Sequence, residues 1–243
     1  MKIEVWSDFV CPFCYIGKRR LEKALDLFPH KDEVEIEFKS FELDANAPLY
    51  NGKSIHESLA AKYGMSLEQA KQNTAQIAQQ AANEGLTFQF DEMKPTNTFD
   101  AHRLAKLAKE RGKEKELTEK LFSAVFIDGK DVGDLDTLAD LAEATGLDRQ
   151  EALQVLNNKV EYADKVRVDE RMAQQYGISG VPFFIVNQKY AISGAQPLDT
   201  FIGALQKVWE EEHAKPQFQT LSSDGSNGAF CADGSCEVPE KED

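Results

Sequence analysis

The sequence has no apolar run approaching the roughly 18 residues that a membrane-spanning helix needs, and a soluble chain is the expectation that follows. Basic residues are in deficit. Lys and Arg number 28 against 42 Asp and Glu, for a formal net charge of −14. Phosphate backbones and anionic lipid are repelled at long range by such a chain, so neither nucleic acid nor a membrane is an expected partner. A secretory leader is not expected either: Asp8 interrupts the short apolar stretch from Val5 to Val10, and the first cysteine follows at once. Cysteine itself is scarce, with four in 243 residues. In a reducing cytoplasm, the expected compartment, a Cys pair is catalytic or metal-binding before it is a structural staple. No internal repeat of fixed period is visible.

What is present is an ordinary globular composition, with 42% apolar residues to supply a packed core. Lys2 to Ser7 reads as a short buried strand. Leu21, Ala24, Leu25 and Phe28 then draw one apolar stripe along a helix that Pro29 ends. Val34 to Phe38 alternates as a second strand, with Val34, Ile36 and Phe38 on one face and Glu35, Glu37 and Lys39 on the other. Helical patterns follow for over a hundred residues, from a capping box at Ser66 and Gln69 through helices at about Asn97–Gly112, Lys113–Asp128, Asp134–Gly146, Asp148–Asn158 and Lys159–Tyr176. Strand character returns at Pro182–Val186 and Tyr190–Ile192, and Leu198, Phe201, Ile202, Leu205 and Val208 line a last amphipathic helix. The chain therefore reads as α/β, with the α/β pieces at 1–44 and 172–213 sharing one sheet, a helical domain inserted at 45–171, and a Ser-, Gly-, Asp- and Glu-rich flexible tail at 214–243.

Cys11-Pro12-Phe13-Cys14 falls where the first strand gives way to the first helix. That places Cys11 at the N-cap, Pro12 at the tolerated first helical position and Cys14 one turn in, where two sulfurs can bond. Unpaired N–H groups and the positive dipole end stabilise a thiolate there, so Cys11 is the expected attacking sulfur and Cys14 the resolving one. Phe13 offers the thiolate no hydrogen bond, which predicts a weaker oxidant than a histidine at that position gives. Asp8, at the end of the strand, is placed to take the proton that Cys14 releases; its other reading is a hydrated strand-end acid. A second candidate segment is Gly177-Ile178-Ser179-Gly180-Val181-Pro182-Phe183-Phe184, a loop with Pro at the start of a buried strand, where a cis Val181–Pro182 bond fits a tight turn.

The strand, the run from Asp8 to Cys14, the long helical stretch and Gly180-Val181-Pro182-Phe183 together resemble the DsbA family, with the FrnE-like branch the closest, over residues 2–213. The resemblance implies a thioredoxin-like fold with a large inserted α-helical domain and thiol–disulfide oxidoreductase or isomerase activity without a bound cofactor. It also implies a cis Pro182 facing the Cys pair and a Val181 backbone that pairs with substrate, so that Val181, Phe13 and Pro12 form the substrate-facing set. Protein or small-molecule disulfides and thiols, glutathione among them, are the implied partners. Kappa-class glutathione transferases and hydroxychromene-carboxylate isomerases share the architecture but typically carry Ser where Cys11 stands. A glutathione-dependent transferase or isomerase and a zinc-held or chaperone-like binding protein are the alternatives.

Weaker candidates complete the reading. Asn97 to Arg103 reads as a capped helix start, with Asn97 as N-cap and Asp100 in the first turn, and it resembles a family segment that begins an inserted-domain helix near the active site. His102 within it reads as a packing or surface histidine. His30, His56 and His213 stand near element ends with no constellation. Cys231 and Cys236, with four residues between them in the tail, read first as an auxiliary redox pair exchanging with Cys11 and Cys14; a four-sulfur zinc site and an incidental pair are the other readings.

Overall fold

The computed structural model describes residues 1–214 together with the backbone of 230–232 and 235–237. Strand β1 (Lys2–Ser7) leads into helix α1 (Pro12–Asp26), and β2 (Glu35–Ser40) follows, parallel to β1 with Ile3 opposite Ile36 and Val5 opposite Phe38. A parallel pair needs a crossover, and α1 supplies it. Helices α2 (Ile55–Tyr63), α3 (Leu67–Asn83), α4 (Phe99–Glu110), α5 (Glu114–Phe126), α6 (Leu135–Glu143), α7 (Arg149–Asn157) and α8 (Ala163–Gln175) all fall before the sheet resumes with β3 (Phe183–Val186) and β4 (Tyr190–Ser193), and α9 (Leu198–Glu212) follows. The sheet order is β2-β1-β3-β4, with β3 antiparallel to both neighbours. Asn187 and Gln188 turn the β3–β4 hairpin with φ of 50° and 53°, the left-handed pair that a two-residue hairpin demands. This is the thioredoxin-like α/β fold with a helical insertion between β2 and β3.

One face of the sheet packs under α1 and α9, with Ile3, Val5, Leu21, Phe28, Phe184, Phe201 and Leu205 in its core. The alternation along β2 reads as one apolar and one polar face, yet the polar face is covered as well. Glu37 is buried, with Lys2, Lys39 and Lys109 on its carboxylate, and α8 carries the buried Asp169 onto the backbone N–H of Ser40. Lys106 of α4 pairs with the same Asp169. Charge pairing, rather than apolar side chains alone, lets this face leave water.

The helical insertion has its own core, which reaches into the β1–α1 junction: Phe9, Cys11, Cys14, Tyr15 and Ile16 belong to the same apolar cluster as Phe88, Leu104, Phe122 and Phe126. Residues 1–209 form one compact unit and 210–243 a second. Within the second, β5 (Phe230–Ala232) and β6 (Ser235–Glu237) pair antiparallel, so two short strands stand inside the stretch expected to be a flexible tail; the rest of 215–243 lies outside the described residues. Two local expectations also change. Ser54 and Glu57 form a full capping box that starts α2, a helix not expected from the periodicity, and Thr98 takes the N-cap position of α4 without a side-chain hydrogen bond to it. Asn97 instead accepts from the Phe99 N–H and donates to the Ala45 and Ala47 carbonyls, tying the segment after β2 to the head of α4.

Candidate active site

Cys11 is the N-cap of α1, in extended conformation, and Pro12 opens the helix. Its N–H bonds the Asp8 carbonyl at 3.0 Å, and its own carbonyl takes the Cys14 N–H at 3.1 Å, so both cysteines are fixed by one turn of backbone. Both are free thiols, 4% and 2% exposed. Across the site the Val181–Pro182 bond is cis, and the Cys11 Sγ–H donates to the Val181 carbonyl at 3.6 Å. The two cysteines and the Pro loop, far apart in sequence, thus meet. Pro182 is buried and Val181 half-buried, while Phe13, 37% exposed, and half-buried Pro12 lie beside Cys11 at the start of α1.

Gly17 explains how closely these parts approach. A Cβ there would stand 3.1 Å from Phe184 Cζ and 3.2 Å from Pro182 Cγ, so the missing side chain lets α1 settle onto the Pro loop and β3. The Gly194 N–H holds the other side of that loop through the Pro182 carbonyl at 2.8 Å.

Beneath the cysteines, Asp8 is 1% exposed, and its Oδ2 accepts the Leu43 N–H at 2.8 Å. Burial pushes the Cys14 thiol well above its ordinary range, and the Cys11 sulfur and the Asp8 charge push the same way. His102, read from sequence as a packing histidine, lies in this layer: it is 2% exposed, its ring packs on Phe9 with centroids 4.8 Å apart, and its Nε2 faces Asp8 Oδ1 at 3.4 Å. Nothing in the spacing of Asp8 and His102 announces this, because only the docking of α4 brings them together. Next along α1, Tyr15, Lys18 and Arg19 all bond Glu119 of α5.

Among the described residues, no group of three or more His, Cys, Asp or Glu is arranged to hold a metal ion, and no helix is long and apolar enough to cross a membrane. The second cysteine pair is seen in backbone only: Cys231 and Cys236 stand directly opposite one another in the β5–β6 ladder.

A dithiol at the head of α1, faced by a cis X-Pro loop on a four-stranded mixed sheet, defines a thioredoxin-fold protein of the disulfide-exchange type. Residues 2–206 match the DSBA-like thioredoxin domain, and the chain belongs to that family. It is similar along nearly its whole length to a probable DsbA oxidoreductase from Streptomyces coelicolor, with 41% identity, a TM-score of 0.83, and 99% of this chain and 100% of that one covered. The protein YwbO of Bacillus subtilis is 31% identical over 207 residues, 84% of this chain and 94% of that protein. The cytosolic disulfide reductase DsbM from Pseudomonas aeruginosa shares the fold at 13% identity and a TM-score of 0.59, over 87% of this chain and 100% of its own.

Proposed function

We propose that this protein is a thiol–disulfide oxidoreductase of the FrnE-like branch, acting in the cytoplasm on protein and small-molecule disulfides, with glutathione among its small-thiol partners. The observation that carries the reading is the meeting of Cys11 Sγ with the Val181 carbonyl at 3.6 Å, beside a resolving thiol buried one turn away. The Cys11 thiolate attacks a substrate disulfide, one substrate sulfur leaves with the electron pair, and the other is held as a mixed disulfide on Cys11. Cys14 then gives its proton to Asp8, and its thiolate attacks the Cys11 sulfur. The second substrate thiolate departs, leaving the enzyme disulfide two electrons more oxidised than the dithiol. Run backwards, the same steps donate a disulfide. No cofactor enters either direction.

Val181, Pro12 and Phe13 contact the substrate in this reading, the Val181 backbone pairing with an extended segment beside Pro182. In this reading Cys231 and Cys236, paired by backbone in the β5–β6 ladder, act as an auxiliary pair that passes electrons to or from Cys11 and Cys14. The test is the reduction of insulin disulfides by dithiothreitol. Wild-type protein accelerates it and Cys11→Ser does not; equal rates with both proteins would remove disulfide exchange at Cys11 from consideration.

A further inference from the structure

Asp8 and His102 share a property that the mechanism above leaves unused. Asp8 Oδ2 is engaged by the Leu43 N–H, but Asp8 Oδ1 and His102 Nε2 are both fully buried without a hydrogen-bond partner among the described residues, and they face one another at 3.4 Å. Buried polar atoms in folded proteins are nearly always paired, so two orphans aimed at each other call for an explanation. A single proton arriving between two such atoms converts the pair into a hydrogen bond.

We propose that His102 is a positioning residue for the resolving step, the second proton site behind Asp8; the proposal rests on the thiol–disulfide reading above. In the mixed disulfide, the proton of the Cys14 thiol passes to Asp8 Oδ1. The Cys14 electron pair forms the bond to Cys11 Sγ, and the Cys11–substrate bond breaks with its pair leaving on the substrate sulfur. As Oδ1 receives that proton, the neutral imidazole takes it at the Nε2 lone pair. Asp8 is returned to a carboxylate that still holds the Leu43 amide, now beside an imidazolium. The net change is one proton moved from Cys14 to His102, and its return accompanies the reverse reaction.

The surroundings favour a closed route. The β1–α1 turn contributes Asp8, α1 contributes Cys11 and Cys14, the segment after β2 contributes the Leu43 amide, and from α5 Phe122 packs behind Phe9. On α4 itself the neighbouring charges turn elsewhere: Arg103 to Asp100 and to carbonyls at the end of α7, and Lys106 to Asp169 of α8.

Rapid mixing of the reduced protein with a fluorescence-quenched peptide disulfide separates the two sulfur steps. The phase that depends on peptide concentration reports attack by Cys11, and the concentration-independent phase that follows reports resolution by Cys14. In His102→Gln the ring is replaced by a side chain that can hydrogen-bond but cannot take the proton. The first phase then stays within about twofold and the second slows by about tenfold or more, less than the roughly hundredfold at the low end for a direct general base because His102 acts through Asp8. Asp8→Asn also slows the second phase, and the double variant is no slower than Asp8→Asn alone, because His102 acts only through Asp8. A second phase unchanged in His102→Gln, or slowing that multiplies in the double variant, overturns the proposal. A wild-type protein with no first phase removes the thiol–disulfide reading itself, a separate result. Should His102→Gln not fold, the wild-type second phase in H₂O–D₂O mixtures decides the matter: a bowed dependence on deuterium fraction shows two protons in flight, and a straight line overturns the relay.

Discussion

Cys14 is enclosed by its own helix, by Cys11 and by Asp8, and in the proposed reaction that enclosure sets the order of events. A thiol raised by burial cannot compete with Cys11 for an incoming disulfide, yet it is already in place once Cys11 is occupied. Cys14→Ser therefore accumulates the mixed disulfide on Cys11, visible as a substrate-sized mass increase that dithiothreitol removes; a variant that never carries such an adduct would show that Cys11 is not the attacking sulfur. Phe13 is expected to act on a different quantity. Its exposed ring gives the Cys11 thiolate no hydrogen bond, so Phe13→His, by adding an N–H donor, favours the dithiol and makes the protein a stronger oxidant. Equilibration against glutathione buffers checks this: a tenfold change in the exchange constant corresponds to about 30 mV, and an unchanged constant would dismiss Phe13 as a determinant.

The element that brings these residues together is α1, and the fit of its inner face is the constraint. Gly17→Ala adds helix propensity worth about 1 kcal/mol, but the new methyl meets the buried Phe184 and Pro182 at 3.1 and 3.2 Å, closer than most packed carbons stand. The expected net result is a loss of about 1–2 kcal/mol in urea unfolding, as for other overpacked cores, with slower insulin reduction as the Pro loop shifts relative to Cys11. A more stable Gly17→Ala protein would mean the loop yields freely. The strands and helices themselves were legible, because alternation, apolar stripes and capping residues are local signals: β1 runs over the residues expected, and Cys11 caps α1 as its position after the strand implied. The head of α2 carries the same kind of local signal in its Ser54–Glu57 capping box, yet that helix was missed because its short apolar pattern is weak. What spacing could not disclose are the meetings across elements. His102 joins Asp8 only because α4 docks over the β1–α1 turn, and the charged face of β2 is buried only because α4 and α8 bring partners for it. Spacing alone found the dithiol and the Val181–Pro182 loop separately; only the family resemblance implied that they face each other, and the fold brings Cys11 onto the Val181 carbonyl beside the cis bond.

Over the whole molecule, the helical insertion is fastened to the sheet domain by carboxylates. Glu84, just past α3, bonds Arg20 and Lys23 of α1; Glu119 of α5 bonds Lys18, Arg19 and Tyr15 of α1; and Glu37 of β2 bonds Lys109 of α4. For Glu119 burial works against ionisation, but the bonds from Arg19, Lys18 and Tyr15 prevail and hold its carboxyl at about 2. Burial likewise opposes ionisation of Glu37 and Glu84, and their basic partners again prevail, taking both below the ordinary carboxylate range. Carboxyls lowered in the folded state contribute stability that is complete above their unfolded value of 4.5 and disappears as pH falls towards the folded value, here the window from 4.5 to about 2 for Glu119. Because the Glu119 side chain is 34% exposed, solvent screening limits its share to the order of 1–2 kcal/mol. Acid should therefore destabilise this strongly acidic chain where the insertion meets α1, the same junction that holds the cysteines. Urea midpoints measured from pH 6 down to 3 should fall for wild type and fall less for Glu119→Gln, which starts lower at neutral pH because the stabilising charge is already gone. Parallel curves for the two proteins would show that Glu119 does not fasten the insertion to α1.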